Sequence, residues 1–216
     1  MTQRPELVDP TSQGGLTGLP YAASPLRTRR LLLRAFEPSD LGDVVKYQSR
    51  EEVVRYLGWG VLDRAGSSRH LDERIKMNRL ESDGDWLVHA VELVDVPIGH
   101  PRVVGEVIIY LKSVVNAQLE VGWIFNPIVQ GHGLATEAAA AILSLCFNTL
   151  EAHRVIAQLY ADNTASARLC DRLGMRHEAL LREDQLFKGA WASTSVYALL
   201  RSEHCAGTPA QVREGV

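Results

Sequence analysis

Cysteine is scarce in this chain of 216 residues: Cys146, Cys170 and Cys205, odd in number and widely spaced. No CxxC pair is present, which argues against a zinc ribbon or a thioredoxin-type redox site. Cys146 and Cys170 fall in apolar, helix-like stretches and read as small hydrophobes, and the set fits a reducing, cytoplasmic compartment. Long apolar runs are also missing. No stretch approaches the ~18 consecutive apolar residues expected of a membrane span. Residues 1–24 are rich in Pro, Gly, Ser and Thr and hold no signal-peptide core. An excess of positive charge is absent too, with 23 Lys and Arg against 26 Asp and Glu. A chain this weakly acidic lacks the broad basic face that coats nucleic acid. His70, His89, His100, His153 and His177 show no metal-ligand spacing.

What is present is enough apolar material for a sizeable core, 46% of the residues. The pattern predicts one folded domain over residues 25–202, with flexible segments at 1–24 and 203–216. Arg29 to Phe36 reads as a strand stopped by Pro38, and Ser39-Asp40 opens a helix carrying Leu41, Val44 and Val45. A second helix is predicted over Ser67–Leu80, with Leu71, Ile75 and Leu80 on one face. Three β-rich runs follow, Trp86–Val94, Val103–Leu111 and Leu119–Phe125, closely connected like an antiparallel meander. Then come a long helix over Leu134–Leu150, a strand over Val155–Tyr160 and a helix over Ala165–Leu173 with Gly174 in the C-cap position. Two further β runs, Ala179–Lys188 and Trp191–Leu200, flank a turn at Lys188-Gly189. This order describes a mixed α/β (α+β) fold, a sheet with helices on its faces. The long helix forms a crossover, so the strands before and after it are expected to run parallel. The four tryptophans, Trp59, Trp86, Trp123 and Trp191, read as core or pocket-wall aromatics.

The segment richest in chemical information lies between a strand and a helix: Gln130, Gly131, His132, Gly133, Leu134, Ala135, Thr136 and Glu137. Two glycines permit close backbone approach to a ligand, and a helix N-terminus presents free N–H groups that favour phosphate. There is no Gly-Lys-Ser/Thr, so a Walker loop is excluded, and no GxGxxG follows the first strand. Spacing alone leaves open a plain glycine turn capping a helix.

Gln130 to Ala135 resembles the Q/R-x-x-G-x-G/A loop of the GCN5-related N-acetyltransferases (the GNAT superfamily). The flanks resemble that family as well: Glu120 to Pro127 before the loop, Ala135 to Ala138 at the helix start, Asp162 to Ser166, and Leu173-Gly174-Met175. Thr28 to Arg34 is similar to the opening strand of the ribosomal-protein N-terminal acetyltransferase (RimJ/RimL-like) branch. The resemblance covers most of residues 27–200. It implies a mostly antiparallel sheet of about seven strands, splayed where acetyl-CoA binds. It also implies an N-acetyltransferase with acetyl-CoA as co-substrate and no metal. The pyrophosphate would sit on Gly131 to Ala135, with Gln130, His132, Leu134 and Thr136 around it. The pantetheine arm would run beside Ile124 and Phe125, within reach of Asn163.

Transfer to an amine needs a proton acceptor for the amine and a proton for the leaving thiolate. Glu120 is the first candidate base and Glu106 the second, with Glu183 and Asp184 behind them; each also reads as an ordinary charged residue. Ser166 is the candidate acid, although Asn163 and Ser166 are equally natural helix caps. Tyr160 stands too close to the motif for the acid role that a tyrosine plays in many relatives. Arg168 and Arg172 read as a solvated helix face, with contact to the nucleotide's phosphate as the alternative. The acceptor is a primary amine, either a protein N-terminus or a small molecule, gripped by Glu51–Leu80 and Leu181–Trp191. A regulatory module that binds acyl-CoA without turnover is the competing reading. No nucleic-acid or membrane partner is expected. The chain reads as a monomer or a homodimer, with Ser195–Leu200 as one candidate pairing strand.

Overall fold

The computed structural model describes residues 15–96 and 100–207. In chain order the elements are β1 (Tyr21–Ala22), β2 (Leu26–Arg27), β3 (Leu31–Arg34), α1 (Leu41–Gln48), α2 (Glu51–Val54), α3 (Arg64–Lys76), β4 (Arg79–Leu80), β5 (Trp86–Leu93), β6 (Val103–Ser113), β7 (Gln118–Phe125), α4 (Leu134–Ser144), β8 (Arg154–Tyr160), α5 (Thr164–Arg172), β9 (Arg176–Phe187), β10 (Ala190–Leu200) and α6 (Arg201–Gly207).

Eight strands form one sheet in the order β2-β3-β5-β6-β7-β8-β10-β9, one more than the seven expected, and β1 and β4 form a separate pair. All neighbours in the large sheet are antiparallel except β7 and β8. That exception follows from the crossover through α4, which returns the chain to the same end of the sheet.

Alternation along the central strands sorts side chains onto two faces. Leu87 and Val91, Val107 and Ile109, and Leu119 and Val121 turn to one face. They meet Ala138, Ile142, Leu143, Cys146 and Phe147 in the larger core. Val88, Ala90 and Ile124 turn the other way, to Val44, Tyr47 and Leu71 of α1 and α3. The sheet is thus a layer between two helical layers.

Several boundaries differ from expectation. The helix predicted over Ser67–Leu80 begins earlier, at Arg64, because Asp63 caps it by accepting the Gly66 N–H at 2.7 Å. It stops at Lys76, and Leu80 is a buried strand residue. α2 escaped the reading because four residues carry no helical period. The long helix passes at Leu145–Thr149 into a π turn, closed by the Leu150 N–H on the Leu145 carbonyl. Residues 15–24, expected to belong to a flexible segment, are folded: Leu16 is buried and β1 pairs with β4. Residues 203–207, where a flexible tail was expected, belong to helix α6, while 1–14 and 208–216 lie outside the described residues. Ser195–Leu200, considered as a strand for a second chain, is covered inside the sheet between β8 and β9. Trp86 and Trp191 are exposed, which excludes the core half of the core-or-pocket-wall role expected of them.

Candidate active site

The parallel pair β7/β8 is joined only at its beginning. Gln118, Leu119 and Glu120 pair with Arg154, Val155 and Ile156, and pairing ends there. From Val121 onward β7 stays bonded to β6 alone, so the sheet opens into a cleft whose apex is Glu120.

At the open end of β7 the chain turns through Pro127–Val129, where the Asn126 side chain accepts the Ile128 N–H. It then enters the glycine loop. Gly131 and Gly133 both adopt left-handed backbone conformations, with φ of 78° and 74°. This winds the chain so that the N–H groups of Gly131 through Thr136 make no hydrogen bond among the described residues; the first bond of the turn runs from the Glu137 N–H to the Gly133 carbonyl. The loop is exposed while Leu134 is buried, which anchors the start of α4 in the core. Unpaired donors at a helix N-terminus form an anion site.

Two arginines border this site. Arg30, at the tip of the β2–β3 hairpin, donates to the His132 carbonyl at 2.9 Å and to Glu137 at 2.7 Å. Arg172, at the end of α5, donates from Nε to the Thr136 hydroxyl at 3.1 Å. Arg172 stays on an exposed helix face, as expected, and reaches the loop from there. Arg30 was not singled out in the sequence, because nothing local in a strand-like RRLLLR run says which residue will reach a loop a hundred positions away.

Glu120 is half-buried. One of its oxygens lies 3.1 Å from Lys112 Nζ and 3.5 Å from Gln158 Nε2, so the carboxylate is held from both sides of the cleft. Glu106 is fully buried and ion-paired to Arg74 at 3.0 Å. Burial pushes its carboxyl up, and Arg74 opposes that shift. Its charge is already matched by Arg74, and it has no exposure to a cleft. Ile124 is buried opposite Glu106, and Phe125 is half-buried beside it.

Across the cleft, the Trp123 indole N–H donates to Ser166 Oγ at 3.2 Å, linking β7 to α5. Asn163 caps α5 by accepting the Ser166 N–H at 3.1 Å. The capping role anticipated for Asn163 is thus real, and its amide NH2 makes no hydrogen bond among the described residues.

At the far wall, Tyr160 packs against Phe187 with ring centroids 4.2 Å apart, and Tyr56 lies 6.2 Å from Tyr160. Burial, followed by the nearby Asp184 charge, raises the Tyr160 hydroxyl pKa. Lys188, in the β9–β10 turn, donates to the Val54 carbonyl at 2.8 Å, and Tyr56 donates to the Asp162 carbonyl at 3.2 Å. Parts of the two segments expected to grip the acceptor therefore meet above the cleft. Glu183 and Asp184 are exposed on β9, and Glu183 has a left-handed backbone, φ 49°. Among the described residues, no group of three His, Cys, Asp or Glu could hold a metal, and no helix is long and apolar enough to cross a membrane.

A sheet split beside a helix N-terminus with free amides offers a cleft with anion donors at its mouth. Comparison with known proteins makes the class specific. The family model described as an acetyltransferase (GNAT) domain matches residues 30–176, and the chain belongs to that family. The N-acetyltransferase YnaD of Bacillus subtilis, itself uncharacterised, is 31% identical over 179 residues, 82% of this chain and 98% of its own. A GNAT-family acetyltransferase from Bacillus anthracis superposes with a TM-score of 0.71 at 29% identity, over 83% of this chain and 100% of its own. A spermidine N-acetyltransferase from Vibrio cholerae, solved with CoA and spermine, shares the fold at a TM-score of 0.66 and 19% identity, over 82% and 99% of the two chains. The protein is an N-acetyltransferase of the acetyl-CoA-dependent GNAT type.

Proposed function

We propose that the enzyme transfers the acetyl group by direct attack of a primary amine on the thioester, and that a protein N-terminus is the acceptor. The free amides from Gly131 to Thr136 carry this reading. They supply the donors a pyrophosphate needs, at the open end of β7, where its pairing with β8 has ceased. Gln130 and His132 border that site, and Leu134 and Ala135 seat it on the helix. Ile124 and Phe125 line the path of the arm, and the free amide of Asn163 donates toward it. Acetyl-CoA, when bound, supplies an activated acyl group. Glu120 accepts the proton of the incoming amine: Lys112 and Gln158 hold one oxygen, and the other has no partner among the described residues. Ser166 already accepts the Trp123 N–H, so its own proton is free for the departing sulfur.

The charges around the aromatic wall favour an acceptor with one amine over a polyamine. Arg55 lies over the Tyr56 ring and Lys188 over Phe187, while Asp162 lies beside Tyr56 and Asp184 near Tyr160. A polycation would need an acidic surplus there. The similarity of Thr28 to Arg34 to the N-terminal acetyltransferase branch points the same way.

The test is thiol release from acetyl-CoA with a panel of short peptides of free N-terminus, beside spermidine and small amines. Turnover with peptides, lost when their N-termini are blocked, supports the assignment. Turnover with spermidine alone overturns the acceptor. Saturable binding of acetyl-CoA with no thiol release across the panel would instead mark a binding module.

A further inference from the structure

Strand β9 is the outer edge of the large sheet, and it is twelve residues long. Edge strands are normally protected by shortness, proline or a cover, because their free N–H and C=O groups template another strand. β9 contains no proline, and no described element pairs with its outer side. It also exposes leucine: Leu180 is 52% and Leu181 45% accessible.

The charges on this strand are arranged so that it complements itself. We propose that β9 pairs antiparallel with β9 of a second copy of this chain, about a two-fold axis at Leu180, to make a continuous sixteen-stranded sheet. A two-fold axis normal to the sheet keeps each residue on its own face, so only positions of equal parity can stand opposite one another. Centring on Leu180 sets Glu178 against Arg182 twice, Ala179 against Leu181 twice, and Leu180 against itself. Arg176 then falls toward Asp184 at the margin, beyond the bulge at Glu183. The neighbouring registers are repulsive: centring on Ala179 opposes Arg176 and Arg182, and centring on Leu181 opposes Glu178 and Asp184. Opposite charges across a strand pair stabilise, and like charges destabilise.

The intrachain contacts are compatible with this register. Glu178 is bound by Arg154 from within its own sheet, and the partner's Arg182 would approach from the open side, placing one carboxylate between two guanidiniums. Arg176 is held loosely by Glu203 at 3.2 Å, and Arg182 has no ion pair among the described residues. β9 runs directly into Phe187 and Lys188, so a paired β9 braces the wall above the cleft.

The register gives a sharp test. Cys205 is exposed, so the experiment uses Cys205→Ser as background. In that background Leu180→Cys places two thiols opposite each other, within the ~4.4–6.8 Å Cα separation a disulfide accepts. Arg182→Cys places its two copies roughly 13 Å apart or more. Mild oxidation should cross-link the first variant into a covalent dimer and leave the second monomeric. In sedimentation without cysteine changes, the native chain should be dimeric at micromolar concentration and Arg182→Glu monomeric. Retained thermal stabilisation by acetyl-CoA would show that the variant is folded. A native chain that is monomeric throughout the micromolar range overturns the proposal. So does cross-linking of Arg182→Cys as fast as Leu180→Cys.

Discussion

Arg30 and Glu137 stand 2.7 Å apart, 107 positions distant in the chain, and they tie the first hairpin to the first turn of α4. Glu137 also accepts from the Arg30 backbone N–H at 2.9 Å and from the Thr28 hydroxyl at 2.6 Å. Arg30 completes the tie on the His132 carbonyl. The left-handed loop is therefore held in shape from outside, which preorganises its amides before any ligand arrives.

Glu137→Ala should lower stability by about 1–3 kcal/mol, the usual cost of stranding charged hydrogen-bond partners. It should also weaken acetyl-CoA binding, since the loop loses its brace. Calorimetric titration beside thermal unfolding separates the two effects. Burial acts to raise the Glu137 carboxyl pKa, but its bonds to Thr28 and Arg30 outweigh that and lower it. The stabilisation is then present above the ordinary glutamate range and is lost as pH falls through the depressed value. Unchanged cofactor affinity in Glu137→Ala would show that the loop needs no brace.

Gly133→Ala should remain folded yet bind acetyl-CoA at least tenfold more weakly. An added Cβ at φ 74° costs about 1 kcal/mol of backbone strain, and its nearest non-neighbouring heavy atom is Arg30 Nη2 at 3.7 Å, an ordinary contact. The penalty thus falls on loop shape and ligand approach rather than on the core. A fluorescence titration with CoA reads it; native affinity would remove the loop from the binding site.

Glu120→Gln should reduce kcat by about 10²- to 10⁴-fold, the range of a general base, with little change in KM for acetyl-CoA. The matching Glu106→Gln change should act mainly on stability, because Glu106 is buried against Arg74. Rate profiles and melting curves of the two variants distinguish a proton acceptor from a structural ion pair. The assignment fails if Glu120→Gln retains the native rate.

His89 is fully buried, and burial brings its pKa down to about 4, against a smaller opposing effect from the Ser24 carbonyl. An unfolded histidine protonates near pH 6.5, so between those values the unfolded chain binds more protons than the native one. Stability is full above about pH 6.5 and falls as pH drops toward 4, by up to roughly 3 kcal/mol from this residue. His89→Gln should flatten that segment of the stability curve in denaturant titrations across pH 4 to 7. An equally steep slope in the variant would assign the acid sensitivity elsewhere, with His70 the next residue to test, since burial and then Arg74 lower its pKa to about 4 as well.

Much of this was legible in the chain because it depends on neighbours in sequence. The glycine pair between strand and helix, the Asp-Asn-Thr-Ala-Ser cap of α5, Gly174 after it, and the Lys188-Gly189 turn all act through local backbone geometry. What escaped is what depends on partners far away. Arg30 became a loop brace, the exposed Arg172 reached the Thr136 hydroxyl, and Glu106 was withdrawn from the cleft by Arg74. None of these has a local pattern, since a charged side chain reads the same whether it meets water or a counter-ion.

The sequence by itself determined the family, the order of the main strands and helices and the place of the glycine loop at a helix start, because periodicity and turn chemistry are properties of consecutive residues. Only the tertiary structure decided where the sheet opens. That point is the last bonded pair, Glu120 with Ile156, and it sets which carboxylate borders the cleft. Strand pairing ends where the crossover through α4 and the packing on two faces pull β7 and β8 apart, a balance of contacts spread across the whole domain.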